Sequence, residues 1–191
     1  MYSKVAYKRL AVLVGNGFVR RVPMLHNQPG ALHITKAGMR MLGISNMPVP
    51  TVGLQSFLHD QAVVWEQISL EASGAEVLTE REMRAAERTT GEEYVVRIPP
   101  HLSTGASTHR PDLIFRVNSR TKWLAVEVEL AAKSEARLLA ILGGYRSSEQ
   151  YVAVVYCVSA VPLMDRVRAA GTSSGLGDRL KVVVAQPRAA A

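Results

Sequence analysis

The sequence predicts an α/β protein, a mixed β-sheet flanked by helices that fills the last two-thirds of the chain and is preceded by a small basic segment. Three observations predict it. Beyond residue 75, strand-length apolar runs alternate with segments of helical period, the pattern of a sheet covered by helices. The first 59 residues contain no Asp or Glu but carry Lys4, Lys8, Arg9, Arg20, Arg21, Lys36 and Arg40. Between the two regions lies Ile44-Ser45-Asn46-Met47-Pro48-Val49-Pro50, whose prolines mark a linker. The expected divisions are a basic segment over 1–46, a linker over 47–53 and the α/β domain over 54–191.

The seven early cations equal the whole net charge of +7, so everything after them is balanced. A basic module on a neutral one suits a polyanion such as DNA, because each neutralised phosphate releases counterions; the bland alternative is an ordinary basic surface. The 48% apolar content is enough to bury a core. No apolar run approaches the roughly 20 residues a membrane helix needs, so no membrane partner is expected. A single cysteine, Cys157, excludes an intramolecular disulfide and fits a reducing cytoplasm. Its setting, YVAVVYCV, reads as a buried, inert thiol.

In the basic segment, Ser3 is placed to cap a helix over 4–14, which Gly15-Asn16-Gly17 ends. Strands over 18–22 and 31–34 flank a turn at 27–30, and Thr35 caps a short helix over 36–42. In the second region a helix over 52–72 presents Leu54, Leu58, Trp65, Ile68 and Ala72 on one face. Strands over 75–78 and 94–98 enclose a helical turn at 79–84, and a loop runs over 99–109. Two stronger strands, 112–117 and 122–130, are joined by a turn at 118–120. A helix over 134–145, a strand over 151–158, a helix over 161–170 and a strand over 180–184 complete the domain, and the tail after Pro187 reads as frayed.

The stretch HRPDLIFRVNSRTKWLAVEVELAAKS carries the chemistry. Asp112 opens one strand, and Glu127 and Glu129, two apart, project from one face of the next. A hairpin brings these carboxylates together, and a hard divalent cation, Mg²⁺ or Mn²⁺, is the natural counter-charge. Such an ion can activate water for phosphodiester hydrolysis. The competing reading has both glutamates facing solvent, paired with Arg116 or Lys122; the apolar neighbours Leu124, Ala125, Val126, Val128 and Leu130 argue for a central strand instead.

Three resemblances follow from these residues. RLAVLVGNGFVRRV…GALHITKAGMRML resembles the second half of a winged helix-turn-helix domain, without the helices that precede the recognition helix. The resemblance implies that Ser3, Lys4, Tyr7, Lys8 and Arg9 face DNA, with Arg20, Arg21 and the 23–30 turn as the wing. Either the natural start lies upstream or a partner chain completes the fold; a packing or dimerisation arm is the other role. Pro111-Asp112 followed by Glu127-Val128-Glu129 and a helix resembles the PD-(D/E)xK nuclease superfamily, with Glu129 where its lysine stands. That implies Asp112, Glu127 and Glu129 as metal ligands and catalytic acids, with Lys133 as a migrated lysine. Glu66 is a candidate additional ligand and Glu80 a weaker one, while His109 and Arg110 flank Asp112. The whole layout, with His59-Asp60, LTEREMR, HRPDLIF, AVEVELAAKS and RLLAILGGY, resembles the replication-relaxation family of plasmid and mobile-element proteins. Three functions stay open: a metal-dependent DNA endonuclease or nickase; a non-catalytic DNA-binding regulator keeping the nuclease fold; and a scaffold that forms a homodimer.

Overall fold

The structure is a computed structural model that describes residues 4–24, 30–51, 53–102, 105, 107–117 and 121–185. The expected Ser3 cap, most of the 27–30 turn, the 118–120 turn and the terminal tail lie outside the described residues. The chain divides into two compact units, one ending at Leu58 and the other beginning at His59.

The first unit holds α1 (Lys4–Gly15), an antiparallel hairpin of β1 (Val19–Val22) and β2 (Ala31–Ile34), and α2 (Lys36–Met41). Gly17 ends α1 at a φ of 69°, in the left-handed region that suits glycine. Thr35 ties the pieces together. Its hydroxyl donates to Gly17 O at 2.6 Å and accepts from Gly38 N at 3.1 Å as the α2 cap. A Cβ on Gly38 would stand 2.2 Å from Phe18 O, so this close approach requires glycine.

The second unit is built on a five-stranded mixed sheet of β3 (Glu76–Thr79), β6 (Leu113–Arg116), β7 (Trp123–Glu129), β8 (Tyr151–Val158) and β9 (Leu180–Val184). That spatial order follows the chain; β3, β6 and β7 run antiparallel, while β8 and β9 are parallel to β7. The parallel steps need helical crossovers, and α5 (Glu135–Ser147) and α6 (Val161–Ser173) supply them. Alternation on the strands sorts two cores. On one face, Ile114, Ala125, Val154, Tyr156 and Val158 pack with Met83, Leu138, Ile141, Tyr145 and Val167 of the helices. On the other, Leu113, Val126, Val128 and Cys157 pack with Ala62, Val63 and Leu70 of α3 (Phe57–Ala72).

Three local expectations change. Instead of a single turn at 79–84 there is a full helix, α4 (Glu80–Thr90), started by a Thr79/Glu82 capping box and stopped by Gly91 at a φ of 74°. The 94–98 strand shrinks to β4 (Val96–Arg97), which pairs with β5 (Thr108–His109) in a separate ribbon outside the main sheet. The first long helix begins at Phe57, and Leu54, Leu58 and Ile68 of its expected packing face are exposed, while Ala62, Val63 and Leu70 face the core instead. No helix of the described residues is long and apolar enough to cross a membrane.

Candidate functional site

Pro111 takes the chain out of the β6–β7 ladder after the pair Leu113↔Val126. The next N–H of β7, that of Val128, is met by a side chain instead of a ladder carbonyl. Asp112 Oδ2 accepts from Val128 N at 2.7 Å, which places this carboxylate beside the backbone between Glu127 and Glu129. The Asp112 carbonyl meanwhile accepts from Glu80 N at 3.2 Å, anchoring the start of α4. His59, in the first turns of α3, brings Nε2 to 3.3 Å from Asp112 Oδ2. That contact raises the His59 pKa above its ordinary value.

Glu127 and Glu129 are buried, at 1% and 3% exposure, so the solvent-facing alternative does not hold. Neither meets Arg116 among the described contacts; Arg116 pairs with Glu76 at 2.6 Å and lies over Trp123. Glu127 Oε1 accepts from the Tyr145 hydroxyl of α5 and stands 2.7 Å from His109 Nε2 of β5. Burial opposes charge on His109, but the Glu127 carboxylate prevails and holds its pKa above the ordinary value. Burial first and then Glu127 push the Tyr145 hydroxyl well up, so it stays a neutral donor. Glu129 Oε2 meets Lys133 Nζ, four residues on, and Arg166 holds the Lys133 carbonyl at 2.8 Å.

The site thus gathers Asp112, Glu127, Glu129 and Lys133 at one end of β7. Glu66 lies apart from the two glutamates, against Cys157 on the α3 side; burial and then Glu66 push that thiol up to about 12, with a smaller push from Asp112. Glu80 pairs with Arg84 at 2.6 Å on exposed surface. Arg110 is drawn to Glu87 of α4 at 2.5 Å. In the first unit Lys4, Tyr7, Lys8, Arg9, Arg20 and Arg21 are all exposed, and α1 buries no residue.

Sequence reasoning missed Tyr145, Tyr156 and Arg137. Tyr156 stands across from Glu127 on β8 and is fully buried. Burial, then Glu127, Glu129 and Asp112, raise its pKa, while Arg137 lowers it. One hydroxyl therefore senses all three carboxylates. The only sequence signal for these residues was their place on segments predicted to flank the acidic strand.

The described contacts of Asp112, Glu127 and Glu129 fall on a single oxygen of each: Oδ2, Oε1 and Oε2. Each carboxylate keeps a second oxygen, a donor set that fits a hard cation. Among the described residues no group of three or more His, Cys, Asp or Glu side chains is placed to hold a metal ion. Mg²⁺ does not require one, since it is commonly held by one or two carboxylates and keeps several waters.

No family model, curated protein or solved structure matches this chain. The site must be read from its own geometry.

Proposed function

We propose that this protein is a metal-dependent DNA endonuclease or nickase of the replication-relaxation kind, acting on plasmid or mobile-element DNA. Its larger unit would be a PD-(D/E)xK nuclease-like domain, and its smaller one a partial winged helix that binds DNA. The observation that carries the reading is the hydrogen bond to Asp112 from the backbone N–H of Val128, the residue between Glu127 and Glu129, with Lys133 on the outer glutamate. The run α3, β3, β6, β7, α5, β8, an antiparallel meander followed by a parallel crossover, supports the nuclease-like assignment. The acid-free first 59 residues and the exposed Lys4, Tyr7, Lys8, Arg9, Arg20 and Arg21 support DNA as partner.

In this reading Asp112 and Glu129, with Glu127 behind them, would hold Mg²⁺ or Mn²⁺. The ion would supply a water of lowered pKa and neutralise charge on the phosphate. Lys133 would exchange Glu129 for the phosphate once a cation takes over the carboxylate. His59 would hold Asp112 in place through its Nε2 contact.

A second reading keeps the fold as a non-catalytic DNA-binding scaffold. The observation that favours it is the engagement of Glu127 Oε1 by both His109 and Tyr145, which gives that acid two partners without any ion. Supercoiled plasmid incubated with Mg²⁺, Mn²⁺ or EDTA separates the two. Nicking that needs metal and disappears in Asp112→Asn and Glu129→Gln supports the nuclease. DNA retardation that fades with salt, with no cutting in any metal, supports the scaffold.

A further inference from the structure

Two polar atoms at the acidic cluster are buried with no hydrogen-bond partner among the described residues: the Tyr156 hydroxyl and Arg137 Nη1. Tyr156 stands across from Glu127 in the sheet, and Arg137 lies on α5 four residues beyond Lys133, which meets Glu129. Among the described contacts the Arg137 guanidinium bonds none of the three acids. Asp112 is taken by His59, Glu127 by His109 and Tyr145, and Glu129 by Lys133.

Arg137 sits in the first turn of α5, where its backbone N–H is received by Ser134 Oγ at 3.3 Å. Orphaned N–H groups and the positive end of the helix dipole favour an anion there. A buried donor left unmet is destabilising, and an accepting ligand relieves it. A guanidinium has only donors, arranged as a planar fork that matches phosphate oxygens. Phosphate is also the anion that needs this help most, since it must approach three carboxylates. The residue as a whole is half-buried, so part of it faces solvent.

We propose that Arg137 is a phosphate-binding residue of this site, its guanidinium taking a non-bridging oxygen of the DNA phosphate that lies against Asp112 and Glu129. The assignment rests on the DNA-processing reading above.

The test uses the full chain as wild type, Arg137→Gln and Arg137→Lys, with a fluorescent duplex in EDTA across a salt series and thermal melting of each variant. Arg137→Gln is expected to bind about tenfold more weakly and to lower the slope of log affinity against log salt by about 0.9, the loss of one phosphate contact. A folded Arg137→Gln with unchanged affinity and slope overturns the proposal, even if its melting temperature moves, as a purely structural counter-charge would require. If the glutamine variant does not fold, Arg137→Lys decides: weaker binding supports the fork, and wild-type affinity overturns it. Wild type that binds but never cuts with metal defeats the nuclease alone and leaves the slope test standing. Wild type that does not bind DNA overturns both.

Discussion

A carboxylate buried like Glu127 is tolerated only when it is hydrogen-bonded, and here an imidazole and a phenol both reach its Oε1. Period-two alternation made Glu127 and Glu129 legible as a same-face pair; Asp112 needed the predicted hairpin as well, and Lys133 was legible only through the resemblance to the nuclease superfamily. His109 and Tyr145 each lie 18 residues from Glu127 and arrive on a separate ribbon and on a helix, so no local pattern announces them. These contacts make stability depend on pH. His59 and His109 have raised pKa values, by contact with Asp112 and, against burial, by Glu127. Their folded state favours the imidazolium, so the stabilisation is complete below the unfolded value of 6.5 and is lost as pH rises through the raised folded values. Lys133 and Arg137 oppose the effect at His109 without reversing it. Melting temperature is expected to fall from about pH 6 to about pH 8, and a His59→Gln/His109→Gln double variant to flatten that fall. An equally steep fall in the double variant would show that other groups carry it.

Among the elements, those whose burial is one-sided or complete were the readable ones. The apolar runs of β6 through β9 and the apolar periodicity of α5 are written in sequence because each must cover a core face. The helix α4 was less legible, since EREMRAAERTT fully buries only Met83 and Ala85. Its existence depends on Thr79 and Glu82 capping each other, through bonds of 2.8 Å and 3.3 Å. The 94–98 run looked like a sheet strand because Tyr94, Val96 and Ile98 alternate and are buried, but they pack from a side ribbon. Arg179 is the least legible contributor. Its guanidinium donates to the carbonyls of Tyr145, Arg146, Ser148, Tyr151 and Val152, fastening the end of α5 to the start of β8. These carbonyls lose their charged donor in Arg179→Met, which is expected to lose about 2–3 kcal/mol by urea unfolding. Arg179→Lys, with a point charge in place of a fork, should recover only part of it. A methionine variant as stable as wild type would mean that water serves the carbonyls equally well.

At the scale of the molecule, the excess positive charge and the acidic cluster belong to different units. The cations that make up the net charge precede residue 59, while Asp112, Glu127, Glu129 and Lys133 belong to the unit that begins at His59. If the first unit supplies DNA affinity and the second processes the strand, each function should fail separately. Lys8→Glu/Arg9→Glu reverses two exposed charges on α1, a helix with no buried residue, so folding of either unit should be unaffected. Two lost phosphate contacts are expected to lower the salt slope of binding by about 1.8. Asp112→Asn removes charge from the acidic site but keeps an oxygen to accept Val128 N, so it should bind DNA with at least wild-type affinity and the same slope. Anisotropy over a salt series, run on both variants beside the plasmid assay, reads each loss independently. Were Asp112→Asn to lose affinity while the charge-reversed variant kept it, DNA would be held mainly by the acidic unit, and the basic segment would be left as a packing or dimerisation arm.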